Sequence, residues 1–139
     1  MLIAVDFDGT IVEHKFPKIG KEIPFATQTL RQLIQDGHRL ILWTIRHGDS
    51  LKEAVDWCRE RGVVFYAVNS DFEGQEHNDA DRSPKVKCDM YIDDRNVGGL
   101  PDWGTIYDMI TNNLTYQTIN PALVSADSKP TKKKKGWLF

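Results

Sequence analysis

The sequence predicts an α/β fold in which a central, mainly parallel sheet forms the middle layer of a three-layer sandwich. Three observations carry that expectation. Short apolar runs (Ile3-Ala4-Val5, Leu40 to Trp43, Val63 to Val68 and Met90-Tyr91-Ile92) alternate with segments of helical periodicity. The runs are largely apolar at successive positions, as strands buried on both faces require. Three of them end in polar side chains: Asp6 and Asp8, Thr44, and Asp93-Asp94. Ligands of such sheets sit beyond the carboxyl ends of the strands.

Each element follows in order. The first run is a strand that ends at Asp6. From Pro24 onward, Ala26, Leu30, Leu33 and Ile34 fall on one helical stripe, which Gly37 closes. Leu40 to Trp43 is the second strand. Ser50, with Glu53 three residues on, reads as a capping box for a helix that buries Leu51, Ala54, Val55 and Cys58 and ends at Gly62. Val63 to Val68 is the third strand and Met90 to Ile92 the fourth. Asp102 caps a last helix with Trp103, Ile106, Tyr107, Ile110 and Leu114 along one side.

A chain of 139 residues, 40% hydrophobic, is one domain's worth and can bury a real core. The expected organisation is a folded core over 1–115 and an extension over 116–139. No run approaches the roughly 18–20 apolar residues of a membrane span. The chain opens directly into its first strand, which leaves no room for a signal peptide and predicts a cytoplasmic protein. Cys58 and Cys88 form no metal spacing, and none of His14, His38, His47 and His77 falls in a ligand spacing. These histidines are expected on the surface or in loops.

Charge is uneven. Residues 1–123 hold 13 basic and 19 acidic side chains, net −6, whereas 124–139 hold five Lys and one Asp, net +4. The lysine-rich tail has no amphipathic period and is expected to be disordered. It could touch nucleic acid, a membrane surface or a partner, or be a solubilising tail. The acidic body argues against nonspecific nucleic-acid binding through the domain itself.

The chemistry begins at Asp6-Phe7-Asp8-Gly9-Thr10. Side chains alternate along a strand, so Asp6 and Asp8 can point the same way off its end. Two anions that close repel unless one is protonated or a cation lies between them. A bound divalent metal is the economical solution, and an all-oxygen site suits Mg²⁺. Thr44 ends the second apolar run. Arg46, two residues on, carries a planar donor fork suited to phosphate, although an exposed loop arginine is an equal reading.

The string Ile3-Ala4-Val5-Asp6-Phe7-Asp8-Gly9-Thr10 resembles the first motif of the haloacid dehalogenase superfamily of aspartate-nucleophile phosphohydrolases, and three further pieces fit that pattern in order. The resemblance implies a Rossmann-like fold, with Asp6 as the nucleophile that attacks phosphorus and Asp8 as acid and base. It implies that Thr44 hydrogen-bonds a phosphoryl oxygen and that a lysine before the fourth strand neutralises the phosphoryl group; Gly9 and Arg46 are further candidate substrate-binding residues. Lys85 fits the family's usual spacing, with Lys87 an open alternative. The Ile92-Asp93-Asp94-Arg95 string is similar to the fourth motif and completes a Mg²⁺ site with Asp6 and the backbone carbonyl of Asp8. Asp94 is the expected direct ligand, through its side chain, and Asp93 stays open as the alternative.

The resemblance thus implies a Mg²⁺-dependent phosphomonoesterase working through an aspartyl-phosphate on a phosphorylated small molecule. The alternatives are a nucleic-acid end-processing phosphatase and a noncatalytic module that binds a phosphorylated ligand. Larger relatives insert a cap domain. Here only Ile11 to Ile23, the Arg46–Asp49 turn and the acidic Asn69–Ser83 loop could approach a substrate, so no separate cap is expected and the site should be open unless self-association covers it.

Overall fold

The computed structural model describes residues 1–70, 85–120 and 122. Its strands are β1 (Leu2–Val5), β2 (Arg39–Leu42), β3 (Ala67–Val68) and β4 (Met90–Ile92), in one all-parallel sheet ordered β3-β2-β1-β4. With its helices this is the expected α/β, Rossmann-like three-layer fold. Successive connections carry the chain from β1 through β2 to β3 at one edge, and it then returns to place β4 on the other side of β1. The order therefore reverses between β1 and β4, the point at which open α/β sheets form their ligand crevice.

Registers fix what meets at that crevice. Val5 lies level with Leu42 on one side and with Ile92 on the other. Val5 donors and acceptors are continued one residue further, where the Asp6 N–H donates to the Ile92 carbonyl at 3.0 Å. Ala4, Ile41 and Ala67 form one buried cluster with Val86, flanked by Trp43, Tyr66 and Tyr91. Ile3, Val5, Leu40 and Leu42 are also fully buried, so the central strands are apolar on successive residues, the two-sided burial that their composition predicts.

The helices of this part of the chain are α1 (Ala26–Gln35) and α2 (Gly48–Glu60). In α1, Ala26, Leu30 and Leu33 are buried, and Gly37 at φ 95° closes the turn beyond it. Its first turn is tied by Glu22, whose carboxylate accepts from the Thr27 N–H at 3.1 Å and hydroxyl at 2.8 Å. The 11–23 segment folds back on itself: the Ile23 N–H donates to the Ile11 carbonyl at 2.9 Å, and Val12 and Glu22 form an antiparallel bridge.

Two sequence expectations are corrected here. The Ser50–Glu53 capping box is absent, because α2 starts at Gly48 after His47 and places Ser50 inside the first turn. There its hydroxyl donates back to the His47 carbonyl at 2.8 Å instead of accepting from an N–H. The third strand is also shorter than 63–68. The Val63 N–H is held by the Cys58 carbonyl at the end of α2, Val64 is exposed, and ladder pairing covers only Ala67 and Val68.

The chain divides into two compact units, Met1–Leu100 and Pro101–Phe139. In the second, α3 (Trp103–Thr111) begins at Asp102 as expected, with the Asp102 carboxylate accepting from the Thr105 N–H at 3.0 Å. Leu114 lies beyond its end, past Asn113 at φ 52°. A four-residue helix, α4 (Tyr116–Ile119), follows with Thr115 as its cap. The 115/116 boundary expected from composition thus falls inside this unit. The acidic loop residues from Asp71 to Ser83, and the lysine-rich tail from Val124 onward, lie outside the described residues. No helix among the described residues is long and apolar enough to cross a membrane.

Candidate functional site

Past the ends of β1 and β4 the chain gathers three carboxylates. Asp6, Asp93 and Asp94 each offer an oxygen, and those oxygens lie within 4.8 Å of one another. The cause is the register: Asp6 and Asp93 directly follow the paired residues Val5 and Ile92. Burial, with the negative charges of Asp93 and Asp94 beside it, pushes the Asp6 carboxyl up to about 7, against the lowering effect of a backbone hydrogen bond at Phe7. Such a cluster could hold a hard divalent cation, because it is all-oxygen and its charges oppose one another until neutralised.

Thr10, fully buried, knits the cluster. Its hydroxyl accepts from the Asp94 N–H at 3.1 Å and lies 3.2 Å from Asp94 Oδ1 and 3.4 Å from Asp6 Oδ2, so one proton serves both carboxylates. Gly9 lies against the same group. Its φ is +83°, and a Cβ built there would stand 2.3 Å from Asp94 Oδ2. Both demands, a left-handed backbone and the close approach of Asp94, exclude a side chain at position 9. Gly9 is thus a steric requirement of the cluster.

Asp8 stands apart from the cluster. Its carboxylate is held in a two-pronged pair by Arg46, Nε to Oδ2 and Nη2 to Oδ1, each at 2.8 Å. Arg46 is only 1% exposed. Its remaining donors go to the carbonyls of Pro17 (3.1 Å), Lys18 (3.0 Å) and Ser50 (3.2 Å), so all five guanidinium N–H groups are satisfied within the protein. The guanidinium carbon lies 5.1 Å from the ring centres of both Phe7 and Phe16. Arg46 therefore has no donor left for a substrate, which corrects that expectation, and the Asp8 side chain lies outside the carboxylate cluster. The signal missed was the pairing itself, since a carboxylate and a guanidinium 38 residues apart carry no local sequence mark.

A cleft of about 240 Å³ opens over these groups, lined by Asp6, Asp8 and Asp93 together with Trp43, Thr44 and Ile45, and by His14 and Arg95. Thr44 is where the sequence places it, just past β2. Its hydroxyl accepts from the Arg46 N–H at 3.1 Å, which leaves its own O–H to donate into the cleft. Its N–H donates to Asn69 Oδ1 at 2.8 Å, a contact for which Asn69 adopts φ 50°. Neither Lys85 nor Lys87 lines this cleft. The Lys85 ammonium sits 4.9 Å above the Tyr91 ring, and Tyr91 donates to the Val86 carbonyl. Among the described residues the strong base that lines the cleft is Arg95, which the Asp93-Asp94-Arg95 string contains but which spacing alone does not single out. His14, expected on the surface, is exposed and lines the same cleft.

Taken together, the doubly wound parallel sheet and an acidic cluster at its β1/β4 switch point define a Rossmann-like α/β protein with its polar centre in the usual crevice. The chain is similar to a solved structure of a conserved protein from Bacteroides thetaiotaomicron, with 58% identity and a TM-score of 0.80 over 86% of this chain and 97% of that one. This chain belongs to the same family as that protein. No family model matches the chain, and no curated protein does.

Proposed function

We propose that the protein is a Mg²⁺-dependent phosphomonoesterase of the haloacid dehalogenase type, acting in the cytoplasm on phosphorylated small molecules through an aspartyl-phosphate on Asp6. The observation that carries this reading is the convergence of Asp6, Asp93 and Asp94 at the sheet's switch point, where Asp6 and Asp93 line one cleft with Asp8. The sequence resemblance of the DFDGT and IDDR strings supports it.

The carboxylates of Asp6, Asp93 and Asp94 would hold Mg²⁺, which when bound supplies positive charge for the phosphoryl oxygens and for Asp6 itself. In the first step an Asp6 oxygen attacks phosphorus and the ester P–O bond breaks. Asp8, entering this step with a proton on a lone pair that Arg46 leaves open, gives it to the departing oxygen. In the second step a water attacks the same phosphorus, Asp8 takes the water's proton, and the P–O bond to Asp6 breaks to release inorganic phosphate. Thr44 would donate to a phosphoryl oxygen and Arg95 would meet its charge. Positioned donors and cations are what this transition state chiefly needs. Removal of the 2.8 Å Arg46 pair is unnecessary for any of this, because each Asp8 oxygen keeps a free lone pair beyond the one Arg46 takes.

The test is phosphate release from a panel of phosphorylated metabolites and oligonucleotides, with and without Mg²⁺, in the wild type and in Asp6→Asn. Turnover that falls by at least about 10³-fold in the variant supports the nucleophile. Unchanged turnover in Asp6→Asn overturns it. Ligand-induced melting shifts with no phosphate release anywhere would instead mark a binding module.

A further inference from the structure

Arg46, buried behind the Asp8 side chain, makes five hydrogen bonds, yet the reaction above assigns it nothing. We infer that Arg46 is a positioning residue for Asp8, and that it locks the 16–18 segment and Asp8 into one unit facing the leaving group. This inference rests on the phosphatase reading.

The argument is geometric. A carboxylate on a free side chain can rotate about two bonds, and a proton donor must be held within hydrogen-bond reach of the atom it serves. Asp8 lies just past β1, in the turn where the Thr10 and Ile11 N–H groups donate to the Phe7 carbonyl. The two 2.8 Å bonds from Nε and Nη2 fix both oxygens in the guanidinium plane, so the carboxylate cannot turn without breaking both. One lone pair of each oxygen is taken by Arg46, and the other edge of the group is left to the cleft it lines.

Arg46 is itself held on every side. Phe7 and Phe16 flank the guanidinium at 5.1 Å, and the Ser50 carbonyl ties it to the first turn of α2. Its other two bonds reach the Pro17 and Lys18 carbonyls. Those residues follow His14 in the chain, which lines the cleft beside Asp8. Movement of 16–18 therefore strips acceptors from the same planar group that orients Asp8. A lysine cannot replace it, because a point ammonium has no fork and cannot hold two carboxylate oxygens while meeting three carbonyls.

The experiment compares two phosphomonoesters, one with a nitrophenolate leaving group, which departs with little protonation, and one with a simple alkoxide, which needs a proton. In Arg46→Lys, kcat/KM for the alkyl ester should fall by about 100-fold or more, the scale of one lost acid. The nitrophenyl ester should lose less than about 5-fold in kcat/KM on the same ground, because its leaving oxygen does not draw on Asp8. Phe16→Ala, which removes one flanking ring at a 44% exposed site, should show the same leaving-group bias at smaller size. It carries the test if Arg46→Lys does not fold. In an Asp8→Asn background, adding Arg46→Lys should cost little more, since a residue that acts through Asp8 has nothing left to act on.

Equal losses on both esters in Arg46→Lys and Phe16→Ala, or full additivity with Asp8→Asn, would leave the phosphatase reading standing and overturn the positioning role. A wild type that releases phosphate from neither ester overturns the phosphatase reading and this role with it.

Discussion

Without a cation, raising the pH should destabilise this protein through Asp6. Its carboxyl is pushed from the ordinary 3.8 up to about 7, first by burial and then by Asp93 and Asp94. Between those two values the folded state keeps a proton that the unfolded chain has already lost. The stability which that proton contributes is complete below the unfolded value of 3.8 and is gone once the pH passes about 7. The full displacement sets a ceiling of about 4 kcal/mol, since one pKa unit is worth about 1.36 kcal/mol. Asp6 is only partly buried, and part of the fall lies below about pH 5, so a loss of about 1–3 kcal/mol is expected between about pH 5 and about pH 8.

The assay is urea unfolding followed by tryptophan fluorescence, in EDTA, from about pH 5 to about pH 8, where linked protons change the midpoint. Asp6→Asn has no carboxyl to titrate, so its curve should be flatter, and it should be more stable than the wild type at the alkaline end. His38 acts in the opposite sense. Burial and the amino terminus of Met1, 2.9 Å away, hold its pKa below the ordinary 6.5, so its contribution is lost as pH falls. Both proteins keep His38, and their difference isolates Asp6. Asp102, lowered by the Thr105 N–H, titrates below this window. A wild-type curve that is flat, or that keeps its slope in Asp6→Asn, would refute the account of the cluster.

Three further outcomes follow from the same geometry. Millimolar Mg²⁺ should raise the melting temperature of the wild type, by mass action on the folded state, and Asp94→Ala should abolish that rise while the far-ultraviolet spectrum is kept. Gly9→Ala should destabilise by about 1–3 kcal/mol, from its φ of +83° and a Cβ that meets Asp94 at 2.3 Å, and should weaken the Mg²⁺ effect in the same calorimetric scan. Burial pushes the Cys58 thiol up to about 12, so a thiol reagent near neutral pH should label half-buried Cys88 in the native protein and reach Cys58 only on unfolding, as read by mass spectrometry.

Much of this site is written locally. Asp6, Thr44 and the Asp93-Asp94 pair each directly follow an apolar run, and a parallel strand leaves its next residues at the crevice wherever the sheet places it. The short string that supplies Asp6 also supplies Gly9 and Thr10, which seat Asp94 and bridge the two carboxylates. The expected lysine was harder to place. Spacing points to Lys85, yet its ammonium lies over Tyr91, and Arg95 lines the cleft instead. Spacing sets how far along the chain a cation lies, and the direction of its side chain depends on the neighbours it packs against.

The sequence by itself determined the element order, the parallel character of the sheet and which strand ends carry acids, because apolar periodicity and strand-end residues are local properties. Only the tertiary structure decided which acids meet. The level pairing of Val5 with Ile92 brings Asp93 as well as Asp94 to Asp6, and carbonyls from 17–18 and from the first turn of α2 hold Arg46 against Asp8. Both arrangements join residues dozens of positions apart. A buried guanidinium requires every donor to be met, and the Asp8 oxygens with the carbonyls of Pro17, Lys18 and Ser50 meet them only once the chain has closed around it.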